Sequence, residues 1–329
     1  MHVLVTGGAG FIGSNFVRHV LSTTDDVRVT NLDALTYAGN LASLRDVEDD
    51  PRYAFVRADV CDAEAMDAAM RDVDAVVHFA AESHVDRSID GPSAFLRTNV
   101  LGAGVVFEAA RRHGIERTLH ISTDEVYGSI DTGSFVESDP LHPNSPYSVS
   151  KASADLLAQS YATTYDHPIT ITRTANNFGP YHYPEKLIPL FVTNLIDGGT
   201  VPLYGDGGNV RDWTYVLDNA AAQWLVLTQG APGEVYNVGA DNERSNKELT
   251  YRLLDHFGLG EDHVEFVADR PGHDRRYSID SSKVRALGWE PATSLDEALE
   301  RTIAWYRANE SWWRPLKQAG ASQRRGRAQ

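Results

Sequence analysis

Residues 2–13, HVLVTGGAGFIG, restrict what this chain can fold into more than any other stretch. A β-branched run leads into a glycine-rich turn and then into the helical pattern IGSNFVRHVL. Gly7, Gly10 and Gly13 stand in a G-x-x-G-x-x-G spacing between the two. Glycines there permit a tight bend and let backbone N–H groups approach a pyrophosphate at the helix N-terminus, so the stretch predicts a dinucleotide-binding turn. Asp33 closes the next strand-like run, where a carboxylate holds the adenosine ribose hydroxyls and repels a 2′-phosphate. That favours NAD over NADP. Asp59 and Val60, in RADV after a third such run, are placed to flank the adenine.

The same alternation continues through DVRVTNLD, YAFVRADV, AVVHFAA and RTLHIST, each separated by a helix-length stretch. Repeated β-α-β units predict an α/β fold, a Rossmann doubly wound parallel sheet with helices on both faces. Beyond residue 175 the pattern loosens around Pro180, Pro184, Pro189 and Pro202. The reading is therefore an NAD-binding domain over 1–175 and a smaller α/β substrate-binding lobe over 176–316, with segments interleaved with the first. Residues 317–329, basic and polar, read as a disordered tail.

A net charge of −16 disfavours nucleic-acid phosphates as partners. No apolar run reaches bilayer length, the first residues lack a signal-peptide layout, and Cys61 is the single cysteine. These predict a cytoplasmic protein with neither a membrane partner nor a disulfide framework. No cluster of His, Cys and acidic residues has metal-ligand spacing, so no metal is expected.

Two further patterns carry chemistry. Asp124 and Glu125 sit side by side just after the apolar run RTLHIST. Adjacent acids repel each other, and partial burial raises at least one of their pKa values. Tyr147 and Lys151, in PYSVSK, are four residues apart at a helix start and share one face. A lysine ammonium there lowers the tyrosine pKa, and the resulting phenolate can take an alcohol proton while hydride passes to a nicotinamide.

With TGGAGFIG, Asp33 and YSVSK, the blocks LDALTYAGN, FAAESHVDRSI, STDEVYG, NNFGPYHYPEKLIPL, GDGGNVRDWTYV and DRPGHDRRYSID resemble the extended short-chain dehydrogenase/reductases. Within them the match is closest to the dTDP-glucose 4,6-dehydratases, and it runs from residue 1 to about residue 316. The resemblance implies NAD as cofactor, dTDP-glucose as substrate and a homodimer joined through Rossmann-domain helices. It implies oxidation at C4, loss of water across C5–C6 and hydride return to C6. Asp124 is then the acid for the C6 oxygen, Glu125 the base for C5–H, and Thr123 a hydrogen-bond partner of the C4 oxygen. Such a pair is what dehydration needs and C4 epimerisation does not.

By the same resemblance, Phe11, Ile12, Leu35, Thr36, Ala80, Ala81, Ser83, Thr98 and Asn177 join Tyr147 and Lys151 around the cofactor. Arg211 and Arg270 are suited to a diphosphate, which a guanidinium grips at two oxygens. His273 and Asn246 contact the nucleotide, Lys186, Leu187, Pro202 and Tyr204 enclose its base, and Asn176 and Ser83 reach sugar or phosphate. Phe178 stands where the family often has tyrosine, and Asn219 where histidine is common. Trp305, Trp312 and Trp313 read as packing or interface anchors. Four alternatives stay open: a UDP- or CDP-linked dehydratase, a C4-epimerase, a nucleotide-sugar decarboxylase, and a non-catalytic NAD-binding regulator.

Overall fold

The computed structural model describes residues 1–327, with side chains to residue 319. Its strands are β1 (His2–Thr6), β2 (Arg28–Asp33), β3 (Tyr53–Arg57), β4 (Ala75–His78), β5 (Arg117–Thr123), β6 (Ile169–Thr174), β7 (Asn176–Phe178), β8 (Val201–Tyr204), β9 (Val210–Tyr215), β10 (Val235–Val238), β11 (Glu243–Ser245) and β12 (Val264–Val267). Seven of them form one parallel sheet in the order β10-β6-β5-β4-β1-β2-β3. β7, β9 and β11 make a second sheet, β8 and β12 a third. Strands β4 and β6 are buried along their whole length, as expected of parallel strands covered on both faces.

The helices are α1 (Phe11–Thr23), α2 (Ala63–Ala69), α3 (Val85–Asp90), α4 (Pro92–Phe95), α5 (Ala103–Arg112), α6 (Pro146–Tyr165), α7 (Leu187–Ile196), α8 (Val216–Gln229), α9 (Asn246–Phe257), α10 (Ser282–Ala286), α11 (Leu295–Ala308) and α12 (Glu310–Arg327). On one face of the large sheet Phe16 and Val20 of α1 meet Val226 of α8 and Val284 of α10. On the other Met66 of α2, Phe107 of α5 and Ala154 of α6 form a second core. A third core, around Phe191, Trp213, Leu253, Tyr306 and Trp313, holds the smaller lobe together. Among the described residues no helix is long and apolar enough to cross a membrane.

Beyond residue 175 the chain sends a strand back, because β10 pairs with β6 at the sheet edge. One departure from the sequence reading concerns the end of the chain. The tail read as disordered from residue 317 carries helix α12 as far as Arg327. Lys317 there donates to Asp197 at 2.7 Å and Arg314 does so at 2.8 Å, while Trp313 is fully buried. Residues 328 and 329 of the tail lie outside the described residues.

Helix α6 starts at a capping box formed by Ser145 and Ser148, with Pro146 in its first turn. Further along, Asp155 accepts from Arg173 Nε of β6 at 2.9 Å, and neither side chain reaches solvent. Arg173 also donates to the Tyr127 hydroxyl at 2.7 Å, which in turn donates to Asn237 Oδ1 at 2.8 Å. The charges offset one another only while both are present. Arg173→Met is therefore expected to cost about 3–5 kcal/mol of stability, because it strands a buried carboxylate. Chemical denaturation of the variant beside the parent measures it.

Candidate active site

A cleft of about 1070 Å³ opens along the carboxyl ends of the large sheet and continues under the smaller lobe. Its floor is the turn between β1 and α1. Gly7 has a φ of 74°, and a Cβ there would lie 2.6 Å from the Ala80 amide nitrogen. A Cβ on Gly13 would lie 2.4 Å from the Gly7 carbonyl. The loop thus packs against the end of β4 at a distance that only glycine allows, and it presents an α-helix N-terminus with no side-chain cap from Gly10.

Asp33 closes this end. One carboxylate oxygen accepts from Ala9 N at 3.0 Å and the other from Leu35 N at 2.8 Å. Burial nonetheless raises its pKa, against the pull of these two amides. Asp33 therefore braces the glycine loop as well as facing the cleft. Asp59 meets Arg97 at 2.9 Å beside Val60. Of all the residues singled out in the sequence for cofactor or substrate, Leu35 alone does not line the cleft. Its φ is 54°, and its amide is occupied by Asp33.

At the other end of the cleft stand Thr123, Asp124, Glu125, Tyr147 and Lys151. Asp124 and Glu125 form the first residues of a short 3-10 turn, Asp124–Tyr127, capped by the Thr123 hydroxyl. That hydroxyl accepts from Glu125 N at 3.3 Å and donates to Asp124 Oδ1 at 3.2 Å. Asp124 Oδ2 is buried with no protein partner. Burial raises the Asp124 pKa well above the usual carboxylate range, and the Glu125 charge raises it further. Glu125 is raised too, chiefly by burial, but Arg270, Lys186 and Arg211 pull it back. The two acids therefore differ: Asp124 is raised the further.

The tyrosine does not behave as its spacing from Lys151 predicts. Burial, then the negative charges of Glu125 and Asp124, push the Tyr147 hydroxyl up rather than down, and only hydrogen bonding with Thr123 opposes them. The Lys151 ammonium is turned onto the Ile121 carbonyl at 2.6 Å, and burial lowers its pKa to about 8. Tyr147 packs against Phe95 and Val85. Desolvation and the neighbouring carboxylates set the direction of its shift.

The smaller lobe supplies the cations. Arg211 lies over the Tyr277 ring at 4.1 Å and donates to the Asp274 carbonyl at 2.9 Å. Arg270 reaches across the cleft to Asp86 at 3.0 Å, while its Nε is buried without a partner. His273 contacts Asp269 at 2.6 Å, and Lys186 donates to the Ser83 carbonyl at 2.8 Å. Asn176, Asn177 and Asn246 each keep a buried amide oxygen without a protein partner on the cleft wall. Buried polar atoms are almost always satisfied, so these orphans fit a polar ligand lying along the cleft. The glycine cradle fits the pyrophosphate of a dinucleotide at its other end.

Several cleft residues were not singled out in the sequence. Tyr37, Arg87 and Glu185 form a group in which Arg87 covers the Tyr37 ring at 3.8 Å and donates to Glu185 at 3.0 Å. Trp213 and Tyr277 also line the wall. No local pattern could reveal a pairing between residues 87 and 185. Among the described residues no group of His, Cys, Asp and Glu is arranged to hold a metal ion.

The family model described as GDP-mannose 4,6 dehydratase matches residues 4–302. The dTDP-glucose 4,6-dehydratase of Streptomyces antibioticus is 55% identical over 327 residues, covering 98% of this chain and 97% of that protein. The low-salt glycan biosynthesis protein Agl12 of Haloferax volcanii is also 55% identical, over 93% of this chain and 98% of its own. Among solved structures, DesIV, a dTDP-glucose 4,6-dehydratase from Streptomyces venezuelae crystallised with NAD, superposes with a TM-score of 0.94. It is 55% identical and covers 96% of this chain and 100% of its own.

The buried acid pair gives a stability test. A carboxyl whose folded pKa is raised binds a proton more tightly in the folded state. Stability is therefore lost as pH climbs from the unfolded value, about 4, towards the raised one. Asp124→Asn removes that loss. The variant is expected to melt higher than the parent at pH 7, by roughly 2–4 °C, with the gain gone at pH 4. Thermal unfolding at the two pH values checks it.

Proposed function

The chain belongs to the GDP-mannose 4,6 dehydratase family within the extended short-chain dehydrogenase/reductases, and from that premise we propose that it converts dTDP-glucose to dTDP-4-keto-6-deoxyglucose with bound NAD. The observation that carries the reading is the pair of buried, unequal carboxyls, Asp124 and Glu125, in one cleft with Tyr147 and Lys151. The dTDP-glucose dehydratases of comparable length and sequence support the choice of substrate.

Gly7, Gly10, Phe11, Ile12 and Gly13 would hold the pyrophosphate of the cofactor. Asp33 and Thr36 would take its ribose, and Asp59 and Val60 its adenine. Ala80, Ala81, Ser83, Thr98 and Asn177 would continue the site towards Tyr147. Bound NAD supplies a hydride acceptor at C4, a hydride donor at C6 and, when oxidised, a positive charge that favours the Tyr147 phenolate. Arg211 and Arg270 would grip the diphosphate of the sugar nucleotide. His273 and Asn246 would meet its ribose, and Lys186, Leu187, Pro202 and Tyr204 its base. Asn176 and Ser83 would orient the hexose.

Tyr147 takes the proton from the C4 hydroxyl, with the Thr123 hydroxyl bonded to the same oxygen. The C4 ketone makes the C5 proton acidic enough for a carboxylate to remove. Glu125, whose charge Arg270, Lys186 and Arg211 favour, is the base for that proton. Asp124, the acid raised the further, gives its proton to the C6 oxygen, and water leaves. Neither acid has work to do in a C4 epimerisation, which needs no proton at C5 or at O6.

The assembly is read as a homodimer, in the cytoplasm. Leu96 and Leu101, on the π-helical stretch between α4 and α5, are 48% and 66% exposed, and Leu156 on α6 is 57% exposed. These helices pack beside one another, so a second copy would cover the same apolar strip. Cys61, the single cysteine, leaves no intrachain disulfide to form.

Three outcomes follow. Incubation with dTDP-glucose in D₂O is expected to yield a product lighter by one water that carries deuterium at C5, read by mass spectrometry and proton NMR. An isomer of unchanged mass would sink the dehydratase reading. Glu125→Gln is expected to lower the dehydration rate by about 10²–10⁴-fold while C4 oxidation persists in a single turnover. For the assembly, Leu101→Glu with Leu156→Glu should leave a monomer in sedimentation velocity.

A further inference from the structure

Residues 180–186, PYHYPEK, have no regular secondary structure, yet they are docked along their length onto the dinucleotide-binding half of the molecule. The Pro180 carbonyl accepts from Asn15 of α1 at 3.0 Å. The His182 ring stacks on Phe11, at the N-terminus of α1, with centroids 4.0 Å apart and planes within 5°. Tyr183 meets Tyr37 edge to face at 5.5 Å. Glu185 accepts from Arg87, whose guanidinium covers the same Tyr37 ring. Lys186 donates to the Ser83 carbonyl. From behind, Trp305 and Trp312 pack on Tyr181 at 4.5 and 5.6 Å.

We propose that this segment is a strap that completes the dinucleotide site and retains the cofactor between the two hydride transfers, with Tyr37, Arg87 and Glu185 as its clasp. The inference rests on the reaction proposed above. Phe11 opens the helix at the glycine turn, and Tyr37 follows Asp33 on the loop that faces the ribose. A segment docked on both runs across the wall of the cleft where the pyrophosphate would enter. The reaction gives such a strap a purpose. Hydride taken from C4 must return to C6 of the same sugar, so a dinucleotide that left in between would strand a 4-keto hexose. A strap held by an ion pair and by ring contacts must detach before the cofactor can leave, which makes release slow without altering the groups that react.

The test uses the full-length holoenzyme, with Arg87→Met and Glu185→Gln made separately. Bound radiolabelled NAD is chased with excess unlabelled NAD, and the label remaining on the protein is followed with time. Release is expected to quicken by roughly ten- to hundredfold, the scale of one charged hydrogen bond with a cation–π contact. In turnover with excess NAD, either variant should also leak NADH into solution, seen at 340 nm. For each NADH one 4-keto sugar and one proton appear, because the hydride has gone to free cofactor and the hydroxyl proton to solvent. Folded variants that release label as slowly as the parent overturn the strap. Should Arg87→Met not fold, Glu185→Gln keeps the side-chain shape and decides alone. Hydrogen exchange on the parent provides an independent check: backbone amides of residues 181–183 should exchange more slowly with NAD bound than after its removal, and equal rates overturn the proposal. A parent that holds no NAD at all would instead defeat the functional reading on which the strap depends.

Discussion

One guanidinium ties together the two segments that carry the buried acid pair and the tyrosine–lysine pair of the cleft. Arg173, at the carboxyl end of β6, is bonded through Nε to Asp155 of α6 and through Nη1 to Tyr127. Asp155 lies one helical turn beyond Lys151 and two beyond Tyr147. Tyr127 closes the short turn that begins with Asp124 and Glu125. Moving α6 relative to β6 would separate charges that no water can reach, at a cost of several kcal/mol, and moving the turn would break a charged hydrogen bond. The acid pair and the Tyr147–Lys151 pair are thus held in mutual register by a pair that lies outside the cleft. The arrangement also explains why so polar a network is kept in a core that apolar side chains could fill.

Within the cleft the electrostatics pull in two directions. Burial favours the neutral form of every acid there, and it does so for Asp124, Glu125 and Tyr147 alike. The cations of the smaller lobe, Arg211, Arg270 and Lys186, reverse part of that effect at Glu125. Asp124, further enclosed and beside a like charge, is raised the further. The difference between the two adjacent carboxyls therefore comes from the lobe packed above them together with the charge of Glu125 on its neighbour.

Much of this could be read from the chain because its signals are local. The glycine spacing, Asp33, the acid pair and the four-residue step from Tyr147 to Lys151 each span one turn or one βα unit, and all line the cleft. What escaped depends on distant partners. Arg87 and Glu185 are 98 positions apart, so neither carries a mark of the other. The state of Tyr147 depends on burial by Phe95 and on Glu125, neither of which the Y-x-x-x-K spacing encodes. Leu35 belongs to LDALTYAGN, one of the blocks that carry the resemblance, but its amide serves Asp33 and its side chain stays off the cleft wall. The helix at the end of the chain is secured by Asp197, far away in sequence, and composition alone could not reveal that anchor.

The return of β10 to the edge of the large sheet has a consequence for biosynthesis. During translation the first six strands of that sheet leave the ribosome by residue 174, but the strand that covers β6 is not made until residue 238. For that interval β6, buried along its whole length in the finished protein, presents an open edge of unpaired amides and carbonyls. The Arg173 side chain on that strand likewise waits for Asn237, the acceptor of the Tyr127 hydroxyl it holds. The two lobes therefore cannot mature one after the other as beads on a string. The nascent chain passes through a window in which a half-built sheet depends on chaperones or on speed to avoid pairing with its neighbours.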